Sequence, residues 1–265
     1  MPARFGEELI MNAEVDSATQ AVERASGIPV IIQPDPSLKL IARMVVARNS
    51  APAHLVYFNP KYGEATDYHI VFQCGSVLRI YHTPPELRFD IASTDSGRRE
   101  VEQLVSDHLR RGKMNLTPQV GKELSQQFYD GLILQLRSIP VGMLVDRWIQ
   151  DNYPTLADQQ RASALRQLAE NQRTLSAQVK AIAPVRVYNA SMGMVAALAV
   201  FWARMLGDTT QEVPYKVGGH LKLGERLLSL LDSSPPDPAS DRDLIQSWGV
   251  ELGIQGWYTF TPFGG

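Results

Sequence analysis

The chain has 265 residues, 44% hydrophobic and 20% charged, which is enough apolar material to bury a core and rules out collagen, coiled coil and wholesale disorder. Its 26 basic and 28 acidic side chains leave a net charge of −2, which offers nucleic acid or an anionic lipid surface no overall attraction and argues against both as partners. A single cysteine, Cys74, excludes an intrachain disulfide, and the segment MPARFGEELIMN lacks the basic, apolar, small order of a secretory signal, so the expected compartment is the cytoplasm.

In chain order, Asp16 to Ala25 followed by Gly27 reads as the end of a helix. Three short apolar runs bounded by turn residues then read as strands. Ile28 to Gln33 ends at Pro34-Asp35-Pro36, and Leu38 to Ala47, which has room for a helical portion, ends at Asn49-Ser50. Ala53 to Phe58 ends at Asn59-Pro60. From about Arg98 onward the period is helical. Val101, Leu104, Val105 and Leu109 form one stripe, Leu124, Phe128, Ile133 and Leu136 a second, and Leu144, Val145, Trp148 and Ile149 a third. Leu156 to Ile182 predicts a long polar helix capped by Thr155 or Asp158 and stopped by Pro184, and Val185 to Leu206 its apolar neighbour, ended by Gly207. The apolar core of that neighbour, Met192 to Met205, is shorter than the roughly 20 residues a bilayer needs and carries Arg204, so a buried helix is expected. Ser233 to Asp241 is a loop, Asp243 to Leu252 a last helix, and the closing WYTFTPF either pairs as a final strand or presents an aromatic surface. The expected fold is α+β: a small mixed sheet with helices over residues 1–113, then a mainly helical domain over residues 114–265.

The segment Asn59 to Tyr81, NPKYGEATDYHIVFQCGSVLRIY, carries the most specific signal. Gly63 breaks the chain and Thr66 or Asp67 can cap a helix in which apolar Tyr68, Val71, Phe72, Val77, Leu78 and Tyr81 alternate with His69, Gln73, Ser76 and Arg79. A strand, an Asn-Pro, a loop and then this helix resembles the active-site segment of the ImmA/IrrE-type zinc peptidases. Their HExxH motif puts two histidines one turn apart to hold Zn²⁺ and a glutamate between them to activate water. On that resemblance Phe72 stands at the first histidine, Gln73 at the glutamate and Ser76 at the second histidine, with Gly75 matching the glycine frequent in the family. Phenylalanine ligates no metal, a glutamine amide takes no proton at neutral pH, and serine is a poor zinc ligand. The family's third ligand, an acid on a following helix, corresponds to Glu100 or Glu102. The resemblance therefore implies a zincin-like fold whose metal site is vestigial, with no cofactor and no catalytic residue. Such a chain would be a pseudo-enzyme acting as a regulator or adaptor that binds a protein or peptide.

Other residues give competing readings. His69, Arg79 and His82 are candidates for binding at the cleft, but a displaced metal site of His69, Cys74 and His82 is disfavoured because Cys74 lies about 140° around the helix from His69. Cys74 among apolar neighbours reads as a buried thiol rather than a nucleophile. Arg79, Arg88, Arg98 and Arg99 suit carboxylate or phosphate, although a solvated surface explains them more simply, and Arg110-Arg111-Gly112-Lys113 suits a helix C-terminus. The chain has neither a phosphate-loop GxxxxGK[ST] nor a G-x-S-x-G elbow, and Gly264-Gly265 carries no argument. The carboxylates Glu86, Asp90, Asp95, Glu100 and Glu102 support the alternative of a reassigned enzyme, a metal-dependent hydrolase or nuclease. The apolar Val185 to Leu206 helix and the aromatic tail suggest self-association through the helical half.

Overall fold

The computed structural model describes residues 12–48, 51–63, 65–112 and 117–264. Its contacts group into two compact units, Met1–Tyr81 with Trp148–Gln160, and His82–Arg147 with Arg161–Gly265. The domain boundary expected between 113 and 114, the Asn49-Ser50 turn, the first 11 residues, Lys113 and Gly265 lie outside the described residues.

The first unit opens with α1, Ala13–Ser26. The Asn12 side chain accepts the Glu14 N–H, Val15, Ala18 and Val22 form the buried stripe, and Gly27 ends the helix at φ 72°. Strands β1 (Val30–Pro34), β2 (Ala42–Val45) and β3 (His54–Phe58) make a mixed sheet in the order β1-β3-β2, with β1 parallel and β2 antiparallel to the central β3. On β3 the alternation is strict: His54, Val56 and Phe58 are buried, Leu55 and Tyr57 half-exposed. Only Ala42–Val45 of the run beginning at Leu38 is strand, and Leu38 to Ile41 is bent rather than helical. Local side-chain bonds compete with helix there. The Asp35 carboxylate takes the Ser37 N–H and hydroxyl, and the Asn59 amide donates to the carbonyls of Pro36 and Leu38. Helix α2, Ala65–His82, completes the contiguous part of this unit.

The second unit begins with β4, Phe89–Ser93, a strand that the sequence pattern did not announce, and α3, Asp95–Arg111. The second and third apolar stripes lie on one helix, α4 (Pro118–Asn152), which runs through Pro140 and whose last turn belongs to the first unit. The single polar helix expected from Leu156 to Ile182 is instead α5 (Ala157–Gln172), a 3₁₀ turn at Arg173–Leu175 and α6 (Ala177–Ile182). The break falls where Thr174 turns its hydroxyl onto the Asn171 carbonyl. Ser176 then adopts an extended ψ of 146° and caps α6 by accepting the Val179 N–H.

Helix α7, Val185–Leu206, ends at Gly207 (φ 66°) as expected and forms the centre of the second core. It is the one helix among the described residues long and apolar enough to cross a membrane, and most of it is buried. After α8 (Val213–Val217), helix α9 (Leu221–Ser233) packs so closely on α7 that a Cβ at Gly224 would lie 2.7 Å from the Ala196 and Ala197 backbone. Helix α10 (Asp241–Glu251) leads to β5, Tyr258–Pro262, which pairs antiparallel with β4, Phe89 opposite Pro262 and Ser93 opposite Tyr258. The two features that suggested self-association, the apolar helix and the aromatic tail, are thus both used inside this unit. The fold is mixed α+β, mostly helical, with two small sheets among the described residues.

Candidate functional site

The site expected from the sequence depends on the joint between β3 and α2, and Asn59 builds that joint. It is 1% exposed; its N–H donates to the Ile41 carbonyl, its side-chain oxygen accepts the Lys61 N–H, and its amide reaches the carbonyls before β2. One side chain therefore ties the end of β3 to the approach to β2 and to the 3₁₀ turn Pro60–Tyr62. Thr66 and Asp67, expected as caps, lie inside the first turn of α2. Thr66 donates its hydroxyl to the Gly63 carbonyl at 2.7 Å, and Asp67 accepts from the Asn12 amide at 3.2 Å.

Along α2 the buried residues are Thr66, Tyr68, Ile70, Val71, Cys74, Gly75, Val77 and Leu78. His69, Phe72, Gln73, Ser76 and Arg79 are all half-exposed, and at spacings of 3, 4, 7 and 10 from His69 they form one stripe. Phe72 and Ser76, four apart, have the spacing of a zinc-binding histidine pair, without its chemistry. The His69 ring stands edge-on to Tyr68 at 4.9 Å, Phe72 tilts against the same ring at 6.1 Å, and the Ser76 hydroxyl donates to the Phe72 carbonyl at 3.0 Å. His82, the last residue of the helix, is exposed and off the stripe. Cys74 lies on the opposite, buried side, where loss of solvent pushes its thiol up to about 12, so no thiolate nucleophile forms there near neutral pH.

Glu100 and Glu102 belong to α3 in the second unit. Glu102 is exposed. Glu100 pairs with Arg186 through one oxygen and accepts the Trp257 indole N–H at 2.7 Å through the other; Arg186 also donates to the Gly253 carbonyl and stacks 4.8 Å over the Trp257 ring. This arrangement ties α3 and α7 to the chain entering β5, so Glu100 has a structural task of its own. The remaining carboxylates of the alternative reading are dispersed. Glu86 is exposed in a 3₁₀ turn, Asp95 is exposed in the first turn of α3, and Asp90 accepts the Gly264 N–H with Arg137 4.0 Å away. Among the described residues no three His, Cys, Asp or Glu side chains gather to hold a metal ion. The arginines are also separately engaged: Arg88 with the Thr83 carbonyl, Arg98 with Asp130 and the Tyr129 ring, Arg99 with the Asp95 carbonyl.

The sequence reading passed over His54. It is fully buried on β3, its Nδ1 accepts the Ala47 N–H at 3.0 Å, its ring meets Tyr81 edge-on at 5.4 Å, and its Nε2 has no partner among the described residues. Burial lowers its pKa from 6.5, which keeps the ring neutral as the Nδ1 bond requires. The available signal was a histidine inside the apolar run AHLVYF.

The two edges of the first sheet differ. On β1 the Val30 N–H is taken by the Glu23 carboxylate and Pro34 has no N–H, which blunts that edge. On β2 the Asn59-to-Ile41 bond fixes the ladder phase. Arg43 and Val45 bond to β3, and Ala42 and Met44 direct their N–H and C=O groups away from it, with no partner among the described residues. Comparison of the chain with protein-family models, with curated proteins and with solved structures returns no match.

Proposed function

We propose that the protein is a catalytically inactive, metallopeptidase-like regulator or adaptor of the cytoplasm that binds an extended segment of a partner protein. The observation that carries this reading is the α2 stripe: Phe72, Gln73 and Ser76 occupy one half-exposed face directly after the β3–Asn59–Pro60 joint, at the spacing of a zinc site, with neither ligand nor base. The open β2 edge supports the partner class, because an added strand would satisfy the outward groups of Ala42 and Met44.

Two measurements test it. The triple variant Phe72→His, Gln73→Glu, Ser76→His is expected to bind Zn²⁺ in calorimetry where the parent protein does not, because the α2 frame sets positions 72 and 76 at ligand spacing. A folded triple variant that takes up no zinc would count against a zincin-like frame. Met44→Pro removes an outward N–H and a half-buried side chain but no bond to β3, and Met44→Ala removes the side chain alone; the proline variant is expected to keep its circular dichroism and to abolish retention of an extended-peptide phage library that the parent protein and the alanine variant both enrich. Enrichment that survives Met44→Pro would place the peptide elsewhere.

A further inference from the structure

A second feature, independent of α2, lies wholly in the second unit. Between the α5–α6 turn, α7 and α8 there is an open cavity of about 530 Å³, within the size range of small-molecule sites. Its walls include Leu175, Pro214, Val217 and Tyr188, and its polar lining includes Arg173 and Lys180, while no acidic residue among the described ones lines it. Neither Arg173 nor Lys180 has a carboxylate partner among the described residues, which leaves two exposed cations beside an apolar surface.

The exposure pattern points the same way. Val217 is 85% exposed on this rim although α8 is otherwise anchored by the fully buried Tyr215. Tyr188 is only 6% exposed, with its ring edge-on to His220 at 5.4 Å, yet its hydroxyl makes no hydrogen bond to any described residue. Unlike the sealed Tyr215 hydroxyl, that of Tyr188 keeps contact with solvent, so it is available to donate to a ligand in the cavity it lines. A second cavity, between α3 and the start of α7, lacks this character. Most of its charged groups are spent on protein neighbours, Arg186 on Glu100, Glu251 on Arg226 and Asp107 on Arg110, and its cation Arg111 shares the lining with the acids Asp107 and Glu251.

We propose that the cavity beside Tyr188 binds a small organic carboxylate with an aromatic or apolar body. Arg173 and Lys180 hold the carboxylate, the Tyr188 hydroxyl donates to it, and the body lies against Leu175 and Val217. A guanidinium fork suits a planar carboxylate, the ammonium adds a point charge, and the apolar wall favours a ligand with hydrocarbon attached over a bare inorganic anion.

The test uses the full chain and two isosteric probes, 2-naphthoate and 2-naphthamide, with binding followed by calorimetry and ligand-observed NMR. The acid is expected to bind one to one and about tenfold tighter than the amide, and Arg173→Gln and Lys180→Gln are each expected to remove about that factor for the acid alone. Both side chains are exposed, so these variants are expected to keep the circular dichroism of the parent protein. Tyr188→Phe is expected to weaken the acid without altering the circular dichroism, and added salt to weaken the acid only. Equal affinity for acid and amide, acid binding unchanged in both cation variants, or no acid binding at millimolar concentration would overturn the proposal.

Discussion

The two sheets of this protein are held by different means. In the first, β1, β2 and β3 all come from residues 30–58, and each is bounded by Pro, Asn or Ser signals that can be read locally. In the second, Ser93 pairs with Tyr258, and the pairing depends on a closely fitted joint. Thr94 caps α3 by accepting the Gly97 N–H and donates its own hydroxyl to the Gly256 carbonyl; the Tyr129 hydroxyl accepts the Thr94 N–H at 2.8 Å and donates to the Trp257 carbonyl at 2.5 Å. The first sheet therefore rests mainly on hydrophobic pattern, while the second rests on a few residues that bring the C-terminal segment back to the middle of the chain.

The largest effect is expected at Gly97. A Cβ there would lie 2.7 Å from the Trp257 Cα, and backbone cannot swing aside as a side chain can. Gly97→Val is expected to cost about 3 kcal/mol or more in urea unfolding and to release β5, whereas Gly256→Ala, where a Cβ meets nothing within 4 Å, should stay within about 0.5 kcal/mol. Equal, small losses for the two would show that the joint is looser than its geometry. Next comes Tyr129→Phe, which leaves the ring in place but removes both of these hydroxyl bonds, so that the Thr94 N–H and the Trp257 carbonyl keep only their longer 3.3 Å bond to each other, an expected loss of about 1–2 kcal/mol. Glu100→Gln should cost less, about 1 kcal/mol, because the Glu100–Arg186 pair is partly open to solvent. Hydrogen exchange should place both losses in β4 and β5 and leave β1–β3 unchanged.

This contrast also explains what was legible in the sequence. α1 with Gly27, the first sheet, α7 with Gly207 and the stripe on α2 could be read because each is encoded by period and by end signals within a few residues. β4 could not be read, since Phe89–Ser93 is a half-buried run that becomes a strand only when β5 arrives from the far end of the chain. The division of the polar helix after Gln172 turns on two hydroxyls, Thr174 and Ser176, choosing backbone partners, a choice that composition does not reveal. Of the candidate site, the α2 positions were legible as a helix face. The role of Glu100 was not, because its partners Arg186 and Trp257 are distant in sequence. The carboxylate pocket was missed for the same reason, as its two cations, its apolar wall and Tyr188 come from three separate segments.

Acid offers a milder comparison, since each unit holds one buried histidine. Burial lowers the pKa of His54, and burial together with nearby Lys180 lowers that of His220, both from 6.5. A base whose folded pKa is depressed takes up its proton more readily when unfolded, so its contribution is present above about 6.5 and is lost as pH falls below that value toward the lowered one. Stability should therefore decline on acidification below about 6.5. Hydrogen exchange should show β3 and α2 responding through His54 and the α7–α8 region through His220. His54→Phe should flatten the pH slope of the first unit alone; an unchanged slope there would remove His54 as its cause.

The smallest expected effect is the absence of a reaction, and it separates the units most cleanly. Cys74 is the only cysteine in the chain and sits fully buried on the closed side of α2, its thiol pushed up to about 12. At pH 8 iodoacetamide should therefore not label the folded protein, and any labelling must wait for the first unit to open. Trp202, Trp248 and Trp257 are buried in the second unit, so tryptophan fluorescence mainly follows that unit instead. With both signals followed along one urea titration, Gly97→Val should shift the fluorescence midpoint far more than the onset of labelling. Labelling and fluorescence that move together in every variant would mean that the chain unfolds as one cooperative body, and that the difference between a pattern-held sheet and a joint-held sheet has no energetic counterpart.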